Sequence, residues 1–344
     1  MASSEKGRGR ARSLITLVSA VAALQGTFAQ TNPATLLTLS SDRLLVETLY
    51  RNPRRFLGGV AADGAVGVNA QWEQDASRPW FIEEQRYGAD QVQMGLATGR
   101  HSLVDQGIRV LNWGFAREAE GSFPGTGDPH HSISFFLEAA SRSVILLREA
   151  GDERHLANLR NWKSNIRNAA QRLVTPSVFP RDRAKSMDPY THRFFLCAAA
   201  LGQSGEVLGD SGLKQAALAM AREGLGRQMA DGTNPEKGGF DANYQIVGAV
   251  FGTRYLLVCE DPAVRAGLER MIGRALEREL AAIDGGGNVD VEGSTRITSE
   301  AARSGKAKTM DHKTLVQALV FWSDLSGDAR FREVARRVAV NQRW

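Results

Sequence analysis

The sequence predicts an all-α protein, an (α/α) toroid of paired inner and outer helices in the form of an incomplete or six-hairpin barrel. Three observations predict it. One pattern recurs five times: an apolar helix, a short turn, then an amphipathic charged helix. Its turns are Ala97-Thr98-Gly99, Ala150-Gly151-Asp152, Leu208-Gly209-Asp210, Glu260-Asp261-Pro262 and Ser326-Gly327-Asp328, spaced by about 50–65 residues, the period of stacked helical hairpins. Helical periodicity dominates and strand signals are weak. Connections alternate between these tight turns and long loops, as in a ring whose chemistry sits at one end.

The first element is read as a separate segment. Lys6, Arg8, Arg10 and Arg12 precede an apolar run from Leu14 to Leu24, and Thr27-Phe28-Ala29 offers a small residue for cleavage. That order is expected of a secretory signal over residues 1–29, leaving one catalytic domain over 30–344 in the periplasm or outside the cell. The run is too short for an ordinary membrane span. Without residues 1–29 the net charge falls from +5 to +2, so the total charge says little about partners. Cys197 and Cys259 lie on different helices at depths differing by roughly 15 Å, too far for a disulfide, and are expected to be buried thiols.

A helix is expected over Ser41–Asn52, then a Gly/Ala/Val-rich loop over Gly58–Ala70. Inner helices are expected near 84–98, 130–149, 190–207, 241–258 and 312–325. Ser132–Ala140 and Ile246–Gly252 are apolar or small nearly all round, as in a helix buried on most faces. Outer helices are expected near 101–117, 153–173, 211–229, 262–283 and 328–341, where Val264–Met271 and Phe331–Val338 carry one apolar stripe and one charged face. The long loops Ala119–Pro129, Pro176–Pro189, Ala230–Phe240 and Asp284–Met310 all lead into inner helices, so they share one rim.

That rim concentrates chemistry. The helix entries read Asp128-Pro129-His130-His131, Asp188-Pro189-Tyr190-Thr191-His192-Arg193, Gly238-Gly239-Phe240-Asp241-Ala242-Asn243-Tyr244-Gln245 and Asp311-His312-Lys313, with Trp80-Phe81-Ile82-Glu83-Glu84-Gln85-Arg86-Tyr87 in the equivalent place of the first pair. Asp128, Asp188 and Asp241 are also good helix caps. Capping does not account for the imidazoles: of six histidines, His130, His131, His192 and His312 sit here, whereas His101 and His155 are expected at the surface. Tyr244, behind a Gly238-Gly239 pair that permits close backbone approach, is the leading single candidate, with Tyr190 competing. Arg181, Arg183, Lys185, Arg193, Lys237, Arg296, Arg303, Lys306 and Lys308 make the rim cationic, which attracts polyanions. Trp72, Trp80, Phe81 and Phe123 offer aromatic faces for sugar rings.

No Walker loop, His-Glu-x-x-His string or nucleic-acid module is present, and Asp284-Gly285-Gly286-Gly287-Asn288 follows a helix rather than a strand. No cofactor and no metal are expected, although the adjacent His130-His131 leaves ligation open. The segments around His131, His192-Arg193 and Gly239–Gln245 on such a scaffold resemble the α/α-toroid polysaccharide lyases, the alginate-lyase-like group, without the Asn-Asn-His string common among alginate lyases. The resemblance implies β-elimination on a uronic-acid-containing anionic polysaccharide. It implies catalytic roles for Tyr244, His192, His131 and Arg193, and substrate contacts from Trp80, Glu84, Arg86, Tyr190, Asp241, Asn243, Gln245 and His312. Two alternatives stay open: an inverting glycoside hydrolase using Glu83 or Glu84 with Asp241, and a non-catalytic glycan-binding protein using Trp72 and Trp80 as platforms.

Overall fold

Fourteen helices carry the structure, a computed structural model that describes residues 34–51, 59–66, 81–126, 129–175, 183–185, 187–297, 299–301 and 307–342. They are α1 (Leu36–Ser40), α2 (Arg43–Glu47), α3 (Phe81–Glu84), α4 (Tyr87–Ala97), α5 (His101–Phe115), α6 (Pro129–Glu149), α7 (Glu153–Asn158), α8 (Trp162–Val174), α9 (Thr191–Leu208), α10 (Ser211–Arg227), α11 (Ala242–Leu256), α12 (Pro262–Leu280), α13 (His312–Ser326) and α14 (Ala329–Asn341). The described residues contain no β-strand, only isolated bridges, so the fold is all-α. The expected signal segment, the aromatic faces expected of Trp72 and Trp80, and the cap expected of Asp128 fall outside the described residues.

Local chemistry sets the boundaries. Asp152, Asp210, Asp241, Asp261, Asp311 and Asp328 each cap a helix, accepting a backbone N–H from its first turn. Gly209 ends α9 in the left-handed conformation that an L side chain resists. Two expected boundaries move. The first helix is two short ones, because Thr35 caps α1 with a reciprocal capping box and Asp42 restarts the chain as α2. The second outer helix is broken into α7 and α8 across Leu159–Asn161.

The apolar patterning predicts the packing order. Helices α4, α6, α9, α11 and α13 pack each on the next, and each of α5, α8, α10, α12 and α14 packs on an inner neighbour. Helix α1 touches α4, α6 and α13, and α2 touches α13. Inner helices are buried on nearly every face, α6 from His130 through Leu147 without interruption. Outer helices bury one stripe, as in α14 with Phe331, Val334, Ala335, Val338 and Ala339. Helices α4 and α5 meet backbone to backbone. A Cβ on Gly107 would lie 2.4 Å from the Gly88 carbonyl oxygen, and one on Gly88 would lie 2.7 Å from that of Gly107. Both cysteines are buried thiols, and the Sγ of Cys197 lies 3.3 Å from Ser134 Oγ.

Candidate functional site

The first turns of the inner helices converge on one cavity of about 690 Å³. Arg86 and Tyr87 at the start of α4, His131 on α6, His192 and Arg193 on α9, Asn243 and Tyr244 on α11, and Lys313 and Thr314 on α13 all line it. Its wall holds seven basic side chains (Arg86, Arg142, Arg193, Arg254, Arg296, Lys308, Lys313) against four acidic ones (Glu83, Asp90, Glu138, Asp311), so it favours an anion.

His192 lines it from the first turn of α9. Tyr190 precedes α9 without a side-chain cap, and the start of the helix is satisfied from another loop. Glu236 Oε1 accepts the His192 backbone N–H at 3.0 Å and lies 2.8 Å from Nδ1 of the same residue. A carboxylate there fixes the proton on Nδ1 and leaves Nε2 as the bare acceptor. Nε2 of this cavity-lining side chain is buried and, among the described residues, has no hydrogen-bond partner. Burial depresses the His192 pKa below the ordinary imidazole value, against the pull of Glu236, so the ring is neutral near pH 7.

Tyr244 stands beside it, ring centroids 4.6 Å apart. The Arg296 guanidinium lies 3.7 Å over the Tyr244 ring and Lys308 Nζ lies 3.3 Å from its hydroxyl. Both cations arrive on the loop between α12 and α13, which is tied down by Asp241. That carboxylate caps α11 through Oδ1 and accepts the Arg296 and Ile297 amides through Oδ2 at 2.8 and 3.0 Å. Arg296 also reaches Glu236 Oε2 at 3.3 Å and Glu300 Oε2 at 3.1 Å. Glu300 is partly desolvated, which opposes its ionisation, yet Lys237, Lys308 and Arg296 hold it down at about 2. Lys237, next to Glu236, has a left-handed backbone (φ 51°) and donates its N–H to the Pro189 carbonyl, so the chain accepts local strain where it delivers the histidine's partner. Asn243 Oδ1 accepts the Asp311 N–H at 2.9 Å, which directs its NH₂ donors elsewhere.

Opposite, His131 Nδ1 lies 3.1 Å from Glu83 Oε2, and Glu83 Oε1 accepts from Arg86 at 3.1 Å. At the cavity bottom, Arg142 bonds Glu138, Gln93 and Asp90 at 2.9, 2.8 and 3.0 Å. Arg254 reaches the same Glu138 oxygen at 3.3 Å.

The cavity therefore gathers Tyr244, His192, His131, Arg193, Arg86, Tyr190 and Asn243. Four other expected contacts fall elsewhere. Asp241 is fully buried and spends both oxygens on backbone amides. Gln245 is fully buried and bonds Asn234 N–H and the Gly232 carbonyl. Glu84 and His312 are not among the lining residues, and Glu83 takes the place expected of Glu84. With Asp241 sealed off, the expected hydrolase pair has no base facing the cavity. Three smaller expectations also change. Asp188 does not cap α9 but pairs with Arg183 and Arg227. Gly239 makes room for Thr295, its added Cβ meeting Cγ2 at 2.7 Å, rather than for a ligand. His155 is buried between Asp152 and Asp105, at 2.6 and 2.9 Å, rather than at the surface. Sequence reading also assigned no role to Glu236, and its only signal was an acidic residue ahead of Gly238-Gly239.

No protein-family model matches the chain, and no curated protein matches it. Among the described residues no group of three or more metal-ligating side chains gathers, and no helix is long and apolar enough to cross a membrane.

Proposed function

We propose that the chain is a polysaccharide lyase that cleaves a uronic-acid-containing anionic polysaccharide by β-elimination, on an incomplete (α/α) toroid closed by α1 and α2 and exported by residues 1–29. The toroid reading is supported by the neighbour-to-neighbour packing of α4, α6, α9, α11 and α13, and by the contacts of α1 with both α4 and α13.

One observation carries the chemical reading: a neutral, buried imidazole with a bare Nε2, locked by Glu236, beside a tyrosine hydroxyl in a cationic cavity. In the proposed reaction His192 Nε2 takes the proton from C5 of the uronate. The C5–H electron pair becomes the C4=C5 double bond, and the C4–O4 bond breaks with its pair leaving on oxygen. Tyr244 protonates O4, and the two side chains then re-exchange protons with solvent. Negative charge that develops on the substrate carboxylate meets Arg193, Arg296 and the NH₂ of Asn243. Glu83 and Arg86 hold His131 at the opposite wall.

The test incubates the protein with alginate, glucuronan, hyaluronan and pectate and follows the unsaturated product near about 235 nm. His192→Ala and Tyr244→Phe are each expected to lower turnover by about 10²–10⁴-fold with unchanged melting. Reducing ends released without the absorbance, or wild-type rates in both variants, overturn the reading.

A further inference from the structure

The cavity continues well below the level of His192 and Tyr244. Along α6 it is lined from His131 to Arg142, and along α11 from Tyr244 to Arg254. At 1.5 Å per residue both paths descend about 15–17 Å. At that depth Tyr50, Gln93, Met94 and Arg142 are all buried, so among the described residues the cavity is closed there. A volume of about 690 Å³ suits a short oligosaccharide, within the usual range for pockets that engulf their ligand.

The bottom is charged, which hydrophobic packing alone would not require. Arg142 engages all three of its guanidinium nitrogens, on Glu138, Gln93 and Asp90. Arg254 has, among the described residues, a single hydrogen bond, to the Glu138 oxygen that Arg142 already uses, and no partner for its buried Nε. Arg254 is 7 % exposed and lines the cavity, with its guanidinium 5.2 Å over the Phe251 ring. A guanidinium carries five donors in a fork that matches a carboxylate, and leaving them desolvated and unused is costly. Burial and the neighbouring Arg142 charge depress its pKa below the usual arginine range, the mark of a cation short of counter-charge.

We propose that the cavity is a one-ended shaft taking the tip of an anionic polysaccharide, and that Arg254 binds the carboxylate of the sugar at its bottom. The chain is then cut at a fixed short distance from its end, and internal linkages are spared. This rests on the lyase reading for the cut itself; the carboxylate subsite stands apart from it.

The experiment has two arms. Calorimetry on the full chain compares D-glucuronate with D-glucose as probes, for wild type, Arg254→Met and Arg254→Lys. Size analysis follows the same polyuronates during digestion by the wild type. Glucuronate is expected to bind more tightly than glucose, with affinity lowered at least about tenfold in Arg254→Met and less in Arg254→Lys, which keeps the charge and loses the fork. Short unsaturated products are expected while the remaining polymer keeps its length. Equal glucuronate affinity in wild type and Arg254→Met, glucuronate no tighter than glucose, or early shortening of the polymer overturns the proposal. If Arg254→Met does not fold, undiminished affinity in Arg254→Lys overturns it. Arg254-dependent glucuronate binding with no elimination product on any polymer removes the lyase reading and keeps the subsite.

Discussion

Glu279 on α12 is fully buried, and among the described residues neither of its carboxylate oxygens has a hydrogen-bond partner. Burial, reinforced by the Asp241 charge and opposed by Arg278, pushes its pKa well above 4.5. In the unfolded chain the same carboxyl titrates near its ordinary value, so the folded state binds the extra proton. The stability contributed by that proton is complete below about pH 4.5 and is lost as pH rises toward the folded pKa, at about 1.4 kcal/mol per pH unit. Glu279→Gln keeps the shape and cannot ionise. Relative to wild type it is expected to gain about 1.4 kcal/mol for each pH unit above 4.5, or about 2–4 °C in Tm per unit. Titrations of groups that do not interact with Glu279 are shared by the two proteins and cancel, which leaves Asp241 as the one coupled acid. Urea unfolding of both at one-unit steps from about pH 5 to 7 measures the difference directly. Parallel stability curves would refute the reasoning, because they would require Glu279 to have the same proton occupancy folded and unfolded.

Four further outcomes are expected. Glu236→Gln removes the carboxylate that fixes the His192 tautomer, and elimination is expected to fall by about 10²–10⁴-fold with little change in KM; a rate within a few-fold of wild type would sink the base assignment. Because His192 must be neutral to act and its pKa is depressed, the acid limb of kcat/KM is expected below the ordinary histidine value of 6.5, and a limb above it would contradict the buried dyad. His155 has a raised pKa, since Asp105 and Asp152 outweigh its burial, so its stabilising effect is present below pH 6.5 and lost above the folded value; melting of His155→Gln against wild type should differ most in acid and converge in base. Gly107→Ala forces α4 and α5 apart and is expected to cost about 1–3 kcal/mol in denaturant unfolding, and an unchanged midpoint would mean that the helices slide freely.

Much of the helical order was legible because it is written in periodicity. The near-continuous apolar or small content of α6 and α11 marks them as inner, and an aspartate stands where half of the fourteen described helices start. The first turns of the inner helices carried the site, so His131, His192 and Tyr244 could be nominated without any knowledge of tertiary contacts. Other residues depended on information that a linear pattern does not hold. Glu236, Arg296 and Lys308 lie on irregular loops and reach the site through pairings 44–64 residues long. Glu83 and Glu84 differ by about 100° around a helix, and the four-residue α3 is too short to reveal its phase. Asp241 was recognised both as a cap and as a ligand contact; its second oxygen is taken by Arg296 and Ile297, a fact of the fold alone. The charged bottom did leave a trace: Glu138 and Arg142, four residues apart in the middle of a helix of mostly apolar and small residues, have the spacing of a buried ion pair.

His192 is delivered by one hairpin, its carboxylate partner by the loop entering the next, and the Arg296 and Lys308 cations by a stretch just before the final pair. A nascent or clipped chain that ends before Arg296 therefore holds the imidazole and the tyrosine without either of these cations. Under the proposed lyase reading, turnover waits until the stretch from Arg296 to Lys308 has been made and has settled on Asp241 and Glu236, so activity would report the folding of that late stretch.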